Sequence, residues 1–228
     1  MTTKTEVIVA WSGGKDSTLT LQALQMSSVF EPVGLLTTVT SDYDRISMHG
    51  VRTSLLRTQA KSLGLPLIEA LIPAKSDNES YERAMATALD KIRVSFPRVK
   101  HMAFGDLFLE DVRAYREKQL SATGFTPVFP LWGLDTRELA ERFIADGFEA
   151  VAVCVDTQQI DATFAGRSFD RQFVSDLAAH VDPCGENGEF HTFVSAGPIF
   201  KEPITYSIGE RVLRDARFLY CDLLPTAL

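Results

Sequence analysis

Residues 12–17 read Ser-Gly-Gly-Lys-Asp-Ser, between the apolar run Glu6–Trp11 and the helical run Lys15–Met26. A strand that breaks at a Ser-Gly-Gly turn and opens a helix aims several backbone N–H groups, and the positive helix end, at one spot. Gly13 and Gly14 allow close approach of an anion, because neither carries a Cβ. Ser12 and Ser17 add hydroxyls, Lys15 a mobile positive charge, and Asp16 completes the string. Such a loop suits a polyphosphate. It is not the common P-loop, which needs four residues between its first glycine and a Gly-Lys-Ser/Thr end.

A second string, Asp182-Pro183-Cys184-Gly185-Glu186-Asn187-Gly188-Glu189-Phe190-His191-Thr192, sets two carboxylates three residues apart in a glycine-bearing loop. An acidic pair of this kind binds a metal or an amine, or acts as a general base. The alternative is a solvated acidic turn. Between the two strings lie Thr37, Thr38 and Thr40 at a strand end, and Gly105-Asp106 after another. Asp106 suits Mg²⁺, a hard cation that takes carboxylate oxygen, or else a turn. His49 precedes a helix bearing Arg57 and Gln59, which either reach toward a nucleotide or line a solvated face. Arg113 and Arg116 follow Asp106 and are read the same way, as phosphate contacts or exposed arginines.

The elements that must position these residues alternate between apolar runs and helix-periodic runs, the pattern of an α/β domain with a parallel sheet. Strands are expected at Glu6–Trp11, Val33–Val39, Pro66–Ile72, His101–Gly105, Thr126–Leu131 and Ala150–Val155. Tyr81, Met85, Ala88 and Ile92 form one helical stripe. Ser76 with Glu79, and Asp135 with Glu138, read as helix caps, and Gly124 and Gly147 as helix stops. After Asp156 the pattern changes. A helix carries Phe169, Phe173 and Leu177, Ile204, Tyr206 and Ile208 alternate with polar residues, and Ala216–Leu224 is a last strand. The expected division is a nucleotide-binding domain over 1–128 and a smaller mixed α+β lobe over 129–228.

In an open parallel sheet, ligands gather beyond the carboxyl ends of the strands, and Ser12–Ser17, Thr38 and Asp106 all follow strands. The 228 residues carry a net charge of −7 without a run of Lys or Arg, which disfavours a dedicated nucleic-acid partner. Cys154, Cys184 and Cys221 form no CxxC pair, so buried reduced thiols are expected. The polar start Met1–Glu6 and the lack of a long apolar stretch point to a cytoplasmic protein that does not enter a membrane.

The string Ser12–Ser17 resembles the SGGxDS signature of the PP-loop, or N-type, ATP pyrophosphatases. Together with Gly185–Thr192, Arg57-Thr58-Gln59-Ala60, Gly105-Asp106 and Pro130-Leu131-Trp132 in the same order, the chain resembles the diphthine–ammonia ligase family, and most of all its bacterial related ATP pyrophosphatases. The resemblance implies a Rossmann-like, HUP-type fold. It implies ATP held with Mg²⁺ at Ser12, Gly13, Gly14, Lys15, Asp16, Ser17 and Thr38, and adenylation of a carboxylate with release of pyrophosphate. Ammonia, free or from a donor, then displaces AMP.

In that reading Lys15, Asp106, Glu186 and Glu189 are catalytic, and His49, Trp132, Gly185, Asn187 and His191 lie on the substrate side. His191 departs from relatives that carry an acid there. The carboxylate acceptor, a small molecule or a protein, is not identified by the resemblance, and a homodimer is carried as an option. If the acceptor were diphthine-like, its quaternary ammonium would suit Trp132 and Phe190 with the two glutamates, against a Trp132 that simply packs. The rival readings are a tRNA-modifying adenylating PP-loop enzyme and a non-catalytic ATP-binding sensor. No cysteine pair supports thiolation, and Thr2 supplies no N-terminal nucleophile for glutamine hydrolysis.

Overall fold

A computed structural model describes residues 3–47, 49–74 and 76–226; Thr2 and Met48 lie outside them. In chain order the elements are β1 (Thr5–Ala10), α1 (Lys15–Met26), β2 (Phe30–Thr40), β3 (Arg45–Ile46), α2 (Thr53–Leu63), β4 (Leu67–Ile72) and α3 (Asn78–Ser95). They continue with β5 (His101–Ala103), α4 (Glu110–Ser121), β6 (Thr126–Val128), α5 (Thr136–Ala145), β7 (Glu149–Asp156), α6 (Arg171–Asp176), β8 (Phe190–Ala196), β9 (Tyr206–Arg214) and β10 (Phe218–Pro225). The chain forms two compact units. The first holds residues 1–12, 16–47 and 65–132, and the second holds 13–15, 48–64 and 133–228.

In the first unit β2 pairs in parallel with both β1 and β4, β1 with β5, and β5 with β6, and the short β3 adds antiparallel to the end of β2. β1 thus has β2 on one side and β5 on the other. That is the topological switch point of a Rossmann-like sheet, where the segments following β1 and β5 diverge and leave a crevice. Ser12 follows β1, and Gly105-Asp106 follow β5. A core of Ile8, Leu36 and Met102 from the strands and Phe104 just after β5 packs with Ala88, Leu89 and Ile92 of α3 and Leu120 of α4. Of the expected α3 stripe, Ala88 and Ile92 are buried, while Tyr81 and Met85 are half-buried. Its cap, however, is Asp77, whose Oδ1 accepts from the Ser80 N–H at 2.8 Å. A carboxylate one residue beyond Ser76 takes the position, as the stronger acceptor for an orphan helix donor. At α5 the expected Asp135 cap is present, accepting from the Glu138 N–H at 2.9 Å.

The second unit carries an antiparallel sheet in the order β8-β7-β10-β9. Here β7 corrects its reading as one more strand of the parallel series. It is buried along almost its whole length, because it is an inner strand, and a strand covered on both faces reads as a continuous apolar run whichever direction its neighbours take. β8 lies where a loop was expected through Thr192. Over β7 sits an aromatic core in which Phe143 stacks on Phe148 at 5.0 Å and Phe169, Phe173 and Phe190 meet edge to face or tilted at 5.1–5.9 Å.

The expected helix through Phe169, Phe173 and Leu177 is shorter than its spacing suggests. Phe169 belongs to extended chain, with its N–H on the Ala150 carbonyl, and Asp170 caps α6 after it. Asp215 and Ala216 form a left-handed turn, so β10 opens at Phe218 rather than Ala216. Gly197 has φ +151°, and a Cβ there would lie 2.1 Å from the Phe148 ring, which only glycine avoids. All three cysteines are free and buried. No helix among the described residues is long and apolar enough to cross a membrane.

β7 ends at Asp156, a buried carboxylate. Its Oδ2 accepts from Arg217 Nε at 3.0 Å and Nη2 at 2.6 Å and from Gln159 Nε2 at 2.8 Å. Arg217 above all, then Gln159 and the Gln158 N–H, hold its pKa down to about 2 against a partial opposing effect of burial. Because that value is below the ordinary one, the stabilisation is complete above about pH 4 and is lost as pH falls through about 2. Asp156→Asn is therefore expected to lower the melting temperature near neutrality, with the gap to the parent protein closing between about pH 4 and pH 2. Thermal unfolding followed across that range checks this.

Candidate active site

In the first unit several hydroxyls stand on α1 and β2 and just after β1. Ser12 Oγ and Ser17 Oγ lie 3.2 Å apart. Thr37 on β2 and Thr20 on α1 are buried, and each hydroxyl oxygen lacks a hydrogen-bond partner. Buried polar atoms are satisfied in most native structures, and these two hydroxyls, one on a strand and one on a helix, are exceptions. Thr38 is half-buried, and its carbonyl accepts from the Ser47 N–H at 3.1 Å. Gly105 runs against the first turn of α1, and a Cβ on it would lie 3.0 Å from the Asp16 carbonyl carbon.

Asp106 Oδ2 stands 3.6 Å from Arg116 Nε without forming a hydrogen bond. Burial raises the Asp106 pKa, and Arg116 opposes that rise. Both arginines of α4 rest on aromatic faces. Arg116 lies 5.0 Å from the Phe104 ring, and Arg113 lies 4.7 Å from Trp132 and 5.0 Å from Phe129. Trp132 also meets Phe129 edge-on at 5.9 Å. One face of the indole thus already holds a cation.

In the second unit Gly13 has φ +78°, and a Cβ there would lie 2.7 Å from Gln59 Oε1. Gln59 projects from α2 with no exposed surface. Its Nε2 donates to the Gly13 carbonyl at 3.0 Å and to the Val194 carbonyl at 2.6 Å, while the Val194 N–H donates to the Gly13 carbonyl at 2.9 Å. Gln59 is therefore neither a solvated residue nor one that reaches outward; it clamps the glycine turn to β8. The apolar spacing around it identifies the buried face, since Leu55, Leu56 and Leu63 lie four, three and four residues away on the same helix. Arg57 is exposed.

Lys15 is 2% exposed. Its backbone N–H donates to Thr192 Oγ1 at 3.1 Å, and its Nζ donates to the Cys184 carbonyl, 5.4 Å from the Phe190 ring and 5.9 Å from Phe169. Phe190 itself is buried in the aromatic core. His49 and His191 stack with centroids 4.5 Å apart and planes 30° from parallel.

The acidic string folds as a tight loop with its two glutamates facing differently. Asp182 Oδ2 accepts from the Glu186 N–H at 2.8 Å and the Cys184 N–H at 3.2 Å. Glu189, 2% exposed, accepts through Oε1 from the Asp182 N–H and Asn187 Nδ2, both at 3.0 Å, and its Oε2 has no hydrogen-bond partner. Glu186 stays half-buried and Asn187 exposed. Gly185 turns at φ +69°, where a Cβ would lie 2.7 Å from the Phe190 carbonyl oxygen. Among the described residues no group of three His, Cys, Asp or Glu side chains could hold a metal ion.

Two expectations follow. Gln59→Leu leaves the Val194 carbonyl buried without its donor, which costs about 1–3 kcal/mol, so the melting temperature should fall by roughly 2–4 °C per kcal/mol in calorimetry. Burial, aided by Lys15, holds the His191 pKa down at about 4. Between about pH 6.5 and pH 4 the unfolded chain therefore binds the extra proton, and stability declines as pH falls through that window. His191→Phe should flatten the decline, as read from melting temperature against pH.

Residues 5–126 match the diphthamide synthase N-terminal domain, and residues 135–221 match the diphthamide synthase C-terminal domain. The chain is similar to the diphthine–ammonia ligase of Schizosaccharomyces pombe, 23% identical over 218 residues that cover 88% of this chain and 36% of that protein. It is similar also to the diphthine–ammonia ligase of Rattus norvegicus, 24% identical over 170 residues that cover 69% of this chain and 64% of that protein. The chain thus spans about a third of the one relative's length and just under two thirds of the other's. With matches to both domains in order, the chain belongs to the diphthamide synthase family.

Proposed function

We propose that the protein is an ATP-dependent carbon–nitrogen ligase that adenylates a carboxylate, releases pyrophosphate and forms an amide with ammonia. The observation that carries the reading is the Ser12–Ser17 string at the switch point of a Rossmann-like sheet, in a chain that matches both diphthamide synthase domains. The relatives are named for ligation of ammonia to diphthine, and a carboxylate of that class is the proposed acceptor. Residues 1–128 are proposed as the ATP-binding domain and 129–228 as the substrate-side lobe.

A carboxylate is a poor electrophile, and adenylation gives it a good leaving group. The N–H groups of Gly13–Ser17 and the Ser12 and Ser17 hydroxyls would hold the phosphates, with the Thr38 segment beside the nucleoside. Lys15 Nζ, now on a neutral carbonyl, would gain by turning to a phosphate oxygen, since charge-assisted hydrogen bonds are about twice as strong. One donor aimed at charge that develops in the transition state is worth about 3 kcal/mol. Asp106 would supply one carboxylate oxygen to a Mg²⁺ held with the nucleotide, whose charge would offset that of the phosphates. Glu189 holds the acidic loop in shape, which leaves Glu186 as the glutamate facing the acceptor side.

With Mg-ATP, ammonium and a panel of carboxylic acids that includes trimethylammonio acids, AMP and pyrophosphate are the expected products. ADP and orthophosphate as the only products would overturn the reading. Gly14→Val should weaken ATP binding by at least about tenfold, because a branched Cβ blocks approach of the phosphate. Glu186→Gln should lower turnover while leaving ATP affinity nearly unchanged in calorimetric titration.

A further inference from the structure

Arg113 stands in the first turn of α4, the helix that follows β5. Its guanidinium lies 4.7 Å from the Trp132 ring and 5.0 Å from the Phe129 ring, both in the segment after β6. Its Nε donates to Glu117 Oε1 at 2.9 Å, one helical turn along α4. Two ring faces and a carboxylate fix the plane of the guanidinium, so little side-chain freedom is left to lose on binding. The two terminal Nη groups have no hydrogen-bond partner among the described residues and reach solvent, the side chain being 38% exposed.

A flat, fixed cation with both Nη groups open matches the paired oxygens of a carboxylate or a phosphate. The neighbouring acids leave that edge free. Glu117 takes the Nε side, Asp106 is set against Arg116 at 3.6 Å, and Glu110 and Asp111 are exposed, where solvent and salt screen them. The topology places the edge well. β6 pairs with β5 and β5 with β1, which sets β6 two strand spacings, about 10 Å, from β1. β2, with Thr38, pairs on the other side of β1. Arg113 and its rings therefore flank the Ser12 end of β1 on the side away from Thr38, beyond the carboxyl ends where open parallel sheets gather ligands. A quaternary ammonium at Trp132 would meet a guanidinium already on the ring, whereas an oxyanion meets its complement.

We propose that Arg113, seated on Trp132 and Phe129, is an oxyanion subsite for the acceptor. Its two Nη groups bind, end-on, a carboxylate or phosphate other than the carboxylate that reacts. The acceptor is then an acid with a second oxyanion. Its part as acceptor rests on the ligase reading, but the binding is measurable without ATP.

The test is a titration of the full chain, without nucleotide, with glutarate and with inorganic phosphate at constant ionic strength. Trp11 and Trp132 are the two tryptophans, so Trp11→Phe leaves the fluorescence of Trp132 as the readout, and calorimetry on the unsubstituted protein supplies a second. A saturable signal is expected from at least one probe, and none from potassium chloride or tetramethylammonium chloride. The probe with the lower midpoint shows whether carboxylate or phosphate is preferred. Arg113→Lys keeps the charge but loses the two-pronged edge and should raise the midpoint about tenfold, and Arg113→Gln should remove the signal. No saturable signal from either probe, or binding undiminished by both substitutions, would overturn the subsite, as would a signal from tetramethylammonium in place of the anions. Oxyanion binding that depends on Arg113, alongside ADP as the only nucleotide product, would keep the subsite and remove the ligase reading. AMP and pyrophosphate without such binding would do the reverse.

Discussion

A single buried amide organises the second unit's share of the glycine turn. Gln59 Nε2 bridges the Gly13 and Val194 carbonyls, and the Val194 N–H returns to Gly13, so a helix, a strand and a turn close on one set of hydrogen bonds. None of the three could shift without stranding a polar group in the interior, where an unmade hydrogen bond costs more than a made one contributes. The left-handed Gly13 is part of the same constraint, because any side chain there would displace the amide. Gln59 holds the turn through its carbonyl side, at Gly13.

The same logic separates the two glutamates of the acidic loop. Glu189 is turned inward to accept from Asp182 and Asn187, and Asp182 in turn gathers the Cys184 and Glu186 N–H groups. The loop is shaped by its own carboxylates. In consequence the Cys184 carbonyl is fixed where Lys15 Nζ can reach it, beside the faces of Phe169 and Phe190.

What could be read from the chain was what depends on local order. The strand–turn–helix around Ser12–Ser17, the parallel series through β6 and the Asp135 cap all follow from spacing over a few residues. The antiparallel sheet was harder to read. β7 is covered on both sides and so looks like any inner strand, and β8 begins inside a glycine-bearing string that reads as a loop. The stack of His49 on His191, the seat of Lys15 on Cys184 and the Arg113–Trp132 contact join residues distant in sequence and have no local signature. Gln59 was within reach, since its leucine neighbours place it on the buried side of α2.

The burial of all three cysteines has a use beyond packing. Cys184 sits in the acidic loop, its Sγ donating to the Thr136 carbonyl at 3.2 Å, whereas Cys154 and Cys221 lie within the central strands of the antiparallel sheet. A thiol reagent can reach Cys184 when that loop alone swings open, but reaches the other two only when the sheet comes apart. The chain therefore carries two built-in clocks, one for breathing of the loop and one for melting of the sheet that supports it.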